Sequence, residues 1–154
     1  MSQHTVTVQW ERRTLTPGRH GYSRAHTLVF DGGAVVPGSS SPSVVRLPYS
    51  DPAGVDPEEM FVASLSSCHM LWFLDLAARD GLVVESYLDT AEGEMKTRED
   101  GRLWVARVTL QPEVVLAAST PAAAGQLERL HHRAHEECFL ANSVKTEVVI
   151  RLPA

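Results

Sequence analysis

The chain has 154 residues, 44% of them hydrophobic and 21% charged, with a formal net charge of −5. That length suits one domain with a sizeable buried core. The acidic balance, without a basic run or a basic helix face, argues against a nucleic-acid partner, and no apolar run approaches the roughly 20 residues that span a bilayer.

The start, Met1-Ser2-Gln3-His4-Thr5, has no charged segment followed by an apolar block, so no signal peptide and a cytoplasmic location are expected. Thr5 to Trp10 alternates, with Val6, Val8 and Trp10 on one face, and reads as a strand. Leu15 to Arg24 carries Pro17, Gly18 and Gly21 and reads as a loop. Arg24 to Phe30 is a second strand, and Asp31-Gly32-Gly33 turns it into Ala34-Val35-Val36. Pro37 to Asp56 is rich in Pro, Gly and Ser and reads as loop, with a short extended piece at Val44-Val45-Arg46.

The stretch from Asp56 to Gly81 predicts a long helix. Asp56 suits the N-cap, Pro57 the first helical position, and Glu58 and Glu59 place negative charge in the first turn. Gly81 is a natural terminator. The helix would span about 25 residues, or roughly 37 Å. Met60, Phe61, Val62, Leu65, Met70, Leu71, Trp72, Phe73, Leu74 and Leu76 make it apolar on most of its circumference, which predicts a buried central helix. Cys68 lies in its middle, beside Ser66, Ser67 and His69.

Val83 to Thr97 reads as one long strand, Asp100-Gly101 as a hairpin turn, and Arg102 to Gln111 as the returning strand. Trp104, Ala106, Val108 and Leu110 share a face of the latter, and Pro112 marks its end. Thr120-Pro121 opens a second helix, with Leu127, Leu130, Ala134 and Cys138 on one side. Val144 to Leu152 closes the chain as a strand. The order of elements gives an α+β class with antiparallel sheet.

Two cysteines, Cys68 and Cys138, cannot make a secreted disulfide scaffold. In a reducing compartment they are buried hydrophobes, metal ligands or a redox pair. A redox pair needs one thiol held as thiolate, a cation to hold it so, and a second thiol near enough to trap the sulfenic acid. For a metal, His131, His135 and Cys138 share a helix face at i, i+4 and i+7, and His69 adjoins Cys68. The paired ligand spacing of structural zinc modules is absent. A Cys68–His135 pair, with Asn142, would suit acyl transfer, but no oxyanion loop is visible.

The run Asp56-Pro57-Glu58-Glu59-Met60-Phe61-Val62-Ala63-Ser64-Leu65-Ser66-Ser67-Cys68-His69-Met70 resembles the first signature of the OsmC/Ohr family of thiol peroxidases. Ala134-His135-Glu136-Glu137-Cys138-Phe139-Leu140-Ala141-Asn142-Ser143-Val144 resembles the second. Tyr22-Ser23-Arg24-Ala25-His26, followed by Phe30-Asp31-Gly32-Gly33, is similar to the N-terminal arginine segment, with Arg12, Arg13 and Arg19 nearby. His69-Met70 after the cysteine is similar to an OsmC-like branch, not to the Ohr branch proper.

The resemblance implies a single OsmC-like domain over residues 1–154. It implies an intertwined homodimer, with antiparallel sheets wrapped around long central helices, and active sites at the subunit interface that reduce organic hydroperoxides. By matching, Cys68 would be the attacking thiolate, Cys138 the resolving thiol, Arg24 the cation and Glu58 its carboxylate partner. An external thiol or dithiol would be the reductant, with no cofactor, no metal and no membrane. A guanidinium beside the sulfur favours the thiolate, and a carboxylate orients the guanidinium through paired hydrogen bonds. Phe61, Leu65, Trp72 and Phe139 would supply apolar walls. Glu58 has a plainer role open to it as a partner of the helix dipole. The rival reading is a non-catalytic module on the same fold that binds an apolar ligand or a metal. Ten residues of continuous helix would separate Glu58 from Cys68 by about 15 Å, so, unless the helix breaks near Val62, Glu58 and the arginine it holds are expected from the partner subunit.

Overall fold

The computed structural model describes residues 2–153, in two compact units, Met1–Met60 and Phe61–Ala154. In the first unit, β1 (Val6–Gln9), β2 (His26–Phe30) and β3 (Val35–Gly38) form an antiparallel sheet in that order. The turn after β2 closes with Gly33 at φ 86°, its N–H donating to the Phe30 carbonyl at 2.9 Å. Val6, Val8 and Trp10 all face solvent. The extended piece expected at Val44–Arg46 is instead a turn, because the Val44 and Val45 N–H groups both fold back on the Ser41 carbonyl at 3.0 and 2.9 Å.

Helix α1 (Pro57–Arg79) starts at the end of this unit and continues unbroken into the second. Its first turn is closed by a capping box: Asp56 Oδ1 accepts from the Glu59 N–H at 2.8 Å, and Glu59 Oε2 accepts from the Asp56 N–H at 3.0 Å. Its last turn ends in a Schellman motif on Gly81, φ 77°. There the Leu82 N–H reaches the Ala77 carbonyl at 2.9 Å and the Gly81 N–H the Ala78 carbonyl at 3.1 Å. The expectation of burial all round is not met within the chain. Leu65, His69, Phe73, Leu76 and Ala77 make one buried stripe, while Leu71 is 61% exposed. By length and apolar composition α1 also reaches the size of a membrane span, although Ser, His and Asp interrupt its apolar run.

Beyond α1 the second unit continues with β4 (Val84–Asp89), β5 (Glu92–Thr97), β6 (Leu103–Leu110), β7 (Pro112–Leu116), α2 (Gln126–Glu137), a 3₁₀ turn (Ala141–Ser143) and β8 (Glu147–Ile150). The single strand expected over 83–97 is two strands in different sheets, β4 with β7 and β5 with β6 and β8. Asp89 makes the break. Its carboxylate accepts from Ser66 Oγ on α1 at 2.5 Å and from the Gln111 N–H at 2.6 Å, which pins both β4 and the end of β6. Pro112 does not end a strand but begins β7, opposite Asp89, where a first strand residue needs no ladder donor. β8 runs parallel to β6, so the sheet is not wholly antiparallel. The second helix starts at Gln126, not at Thr120-Pro121, because Gly125 turns the chain at φ 68°. The last strand, Glu147–Ile150, is shorter than the expected 144–152 and follows a 3₁₀ turn at Ala141–Ser143.

Two apolar clusters hold α1 in this unit. Around its N-terminal half, Leu65 packs with Val108 and Leu110 of β6, against Phe61, Val62, Val105 and Val148. Around its C-terminal half, Phe73, Leu76 and Ala77 pack with Leu82 and with Leu130 and Ala134 of α2. Cys68 and His69 lie between the two clusters, at the level where α2 meets α1.

Candidate active site

α1 sets Cys68 three residues beyond Leu65, so burying Leu65 fixes the rotation of the thiol about the helix axis. Cys138 is the residue at which α2 ends, with φ −64° and ψ 110°, its N–H still donating to the His135 carbonyl at 3.3 Å. The Cys138 side chain is 1% exposed, whereas Cys68 is half-buried. Both are free thiols, and Cys138 Sγ donates to Cys68 Sγ at 2.8 Å. The Ala141 N–H donates in turn to Cys138 Sγ at 3.4 Å. Burial, and then the hydrogen bond given to Cys68, push the Cys138 thiol up to about 11, so at neutral pH it is a proton donor.

The next layer is a set of imidazoles. His69 Nε2 and His131 Nδ1 are 3.0 Å apart, joining α1 to α2. The His131 ring stacks on Phe73 at 4.2 Å and 20°. Burial, then the neighbouring His131 and His135, lower His69 to about 3. Burial lowers His131 to about 4, against an opposing pull from Asp89. Both rings are neutral at pH 7. His69 Nδ1 and His135 Nδ1 are buried without a hydrogen-bond partner. Among the described residues no group of three or more His, Cys, Asp or Glu side chains is arranged to hold a metal ion.

Trp72, one turn beyond Cys68 on α1, meets Phe139 edge to face at 5.4 Å and 86°. Phe139 is 69% exposed and follows Cys138, so these two rings form an apolar rim beside the thiols. Leu65 and Phe61, named above as walls, belong to the core cluster around β6 instead.

Arg24 and Glu58 are not brought together in the chain. The Arg24 guanidinium donates to the His20 carbonyl at 2.9 Å and the Tyr22 carbonyl at 2.5 Å, and lies over the Tyr22 ring at 3.9 Å. No ion pair joins it to Glu58 among the described residues. The sequence drew attention to His69 and His131 only as metal ligands. Their contact crosses 62 positions and has no local signature. Asp89 was missed altogether, and a lone acid at a strand end gives no signal that it anchors the cysteine helix.

A family model described as OsmC-like protein matches residues 50–152. The chain belongs to the OsmC-like family. An OsmC-like protein of unknown function from Vibrio cholerae is 49% identical to this OsmC-like chain, covers 99% of it and 100% of its own length, and superposes with a TM-score of 0.93. The organic hydroperoxide resistance protein OhrB of Bacillus subtilis shares the fold at 16% identity, TM-score 0.68, covering 99% and 98% of the two chains. An organic hydroperoxide resistance protein OsmC from Legionella pneumophila does so at 18% identity, TM-score 0.67, covering 99% and 96%. No curated protein matches the chain. The matched span holds both cysteines and Glu58; Arg24 lies before it.

Proposed function

We propose that this OsmC-like protein is a cysteine-based peroxidase that reduces organic hydroperoxides to alcohols. The Cys68 thiolate attacks one peroxide oxygen, the O–O bond breaks, and the alkoxide leaves as alcohol after taking a proton. The Cys68 sulfenic acid then condenses with the Cys138 thiol, releasing water and leaving a Cys68–Cys138 disulfide. An external thiol or dithiol reduces it by exchange. The observation that carries this reading is the 2.8 Å contact between the two sulfurs, in which Cys138 is the donor and Cys68 the acceptor. The exposed edge of the Trp72–Phe139 pair favours alkyl peroxides over hydrogen peroxide.

In this reading Arg24 is the cation and Glu58 its carboxylate, both supplied by the second subunit of a homodimer. Glu58 and Cys68 stand ten residues apart on the unbroken α1, about 15 Å of rise, so the two cannot serve one site on the same helix. The exposed Leu71 on α1 and the exposed Val6, Val8 and Trp10 on β1 are apolar surface that a second copy would cover. Two free thiols suit a reducing, cytoplasmic setting.

Non-reducing peptide mapping after one equivalent of cumene hydroperoxide tests the chemistry. A Cys68–Cys138 disulfide is expected, and two unmodified thiols would refute the reading. Mixing inactive Cys68→Ser with inactive Glu58→Ala under subunit exchange tests the shared site. Partial return of activity is expected, and a dead heterodimer would confine the site to one chain.

A further inference from the structure

We propose that the His69–His131 pair is a positioning device that aligns the Cys138 thiol on the oxidised Cys68 sulfur for disulfide closure, an inference that rests on the peroxidase reading. Two polar contacts tie α2 to α1 at the level of the thiols. One joins His131 to His69 at 3.0 Å, the other Cys138 to Cys68 at 2.8 Å. Seven residues of α2 separate the two contacts, roughly 10 Å of rise. A single contact leaves a helix free to pivot, whereas two fix both its slide and its rotation. The remaining contacts are the part-exposed Arg133–Asp80 ion pair at the far end of α1, at 2.9 Å, and the apolar packing of Leu130 and Ala134 on Phe73, Leu76 and Ala77.

Closure is the step that needs the direction. The Cys138 sulfur must attack Cys68 Sγ opposite the departing oxygen, so that the S–S bond forms as the S–O bond breaks. The thiol proton leaves with the hydroxide as water, Cys68 sulfur is reduced from sulfenic acid to disulfide, and Cys138 sulfur is oxidised from thiol to disulfide. Oxidation at Cys68 replaces the S–H···S contact with a bulkier group and removes one of the two ties. The histidine pair is then the buried polar tie that remains beside the thiols.

Stability does not account for the pair. His69 is 1% exposed, yet its Nδ1 has no partner, and an unpaired buried polar atom is a cost to folding. The Phe73 face on which His131 stacks would accept a phenyl ring equally well. Both rings are held neutral, so the bond between them persists across the range in which thiol chemistry runs.

The test separates the two chemical steps. In single turnover with one equivalent of cumene hydroperoxide, Cys68 oxidation is followed by dimedone trapping and closure by non-reducing mass spectrometry. His131→Phe keeps the stacking and loses the bond. It should oxidise at close to the wild-type rate but close the disulfide at least about tenfold more slowly, with sulfenic acid accumulating. His131→Gln, which can restore a hydrogen bond to His69, should recover most of the closure rate. His69→Leu, which breaks the bond from α1, should reproduce the split and covers the case in which His131→Phe fails to fold. Folded His131→Phe or His69→Leu that closes at the wild-type rate, or slows both steps equally, overturns the positioning role. If wild type forms sulfenic acid and disulfide while that happens, the peroxidase reading stands and the inference alone falls. If wild type forms neither, both fall together.

Discussion

The two helices that carry the cysteines are finished differently. α1 is closed at its start by the Asp56–Glu59 box and at its end by the Gly81 motif, and Cys68 sits in its middle, far from either fraying end. α2 begins at Gly125 with no side-chain cap and ends on Cys138 itself. Past its last residue, the end of α2 is held by the Asn142 Nδ2 donor on the Glu136 carbonyl at 2.7 Å and by the Cys138 N–H on the His135 carbonyl at 3.3 Å. A rigid middle suits a sulfur that must meet a peroxide in one geometry. A loose end suits a sulfur that must travel a short way and return.

The cysteines provide the sharpest break in that comparison. Cys68→Ser should abolish peroxide consumption, while Cys138→Ser should keep one turnover and accumulate a dimedone-reactive sulfenic acid. A Cys138→Ser variant dead in its first turnover, beside an active Cys68→Ser, would exchange the roles of the two helices.

Stability should divide the same way. Phe73 is fully buried in the cluster that joins α1 to α2, so Phe73→Ala should cost about 3–5 kcal/mol in urea unfolding. A loss below about 1 kcal/mol would mean that the α1–α2 contact is not part of the folding unit.

Acid should loosen the helix pair next. His69 and His131 titrate near 6.5 in an unfolded chain but are lowered to about 3 and about 4 in the fold. Below pH 6.5 the unfolded chain therefore binds more protons than the native one, and stability falls with falling pH. The contribution is intact above pH 6.5 and is lost between there and pH 4 for His131, which charges first, and pH 3 for His69. The slope should approach roughly 1.4 kcal/mol per pH unit for each of the two imidazoles. His131 faces Asp89, with Tyr87 at 6.3 Å, so Asp89 moderates the effect. Melting curves from pH 7 to 4.5 should flatten in the His69→Leu, His131→Phe double variant; an unchanged slope would place the acid sensitivity elsewhere.

The caps give the smallest effects. Asp56→Ala should cost about 1 kcal/mol with no change in the closure rate. Asn142→Ala should cost no more than about 1.5 kcal/mol but should change the rate of disulfide formation, since it frees the end on which Cys138 rides. Equal kinetic effects from the two would erase the distinction between the helices.

Local chemistry made much of this readable in advance. Asp56, Pro57 and Gly81 punctuate α1 because caps are written in adjacent residues, and the two glycine turns, at Gly33 and Gly101, mark their hairpins for the same reason. Apolar spacing puts both thiols on helices; Cys68 is within α1, whereas Cys138 is the extended residue just past the end of α2. What escaped depends on partners distant in sequence. The break between β4 and β5 is made by Asp89 reaching Ser66 and Gln111, 23 and 22 positions away. The parallel pairing of β8 with β6 is set by packing, with no mark on either strand. α1 looked buried all round because its composition is apolar, but a single chain supplies neighbours for only one stripe of it. At Thr120-Pro121 a good cap followed by proline was overridden by Gly125, whose positive φ resets the chain direction just before Gln126.

The unequal exposure of the two sulfurs has a consequence for traffic. Cys138 is sealed and Cys68 is not, so an incoming molecule of either kind meets Cys68 first. In the proposed cycle oxidant and reductant would then share one doorway. The disulfide would be opened by attack on the Cys68 side, with the mixed disulfide formed there while Cys138 departs inward. A slow-leaving thiol held on Cys68 as a mixed disulfide would block both oxidant and reductant at once.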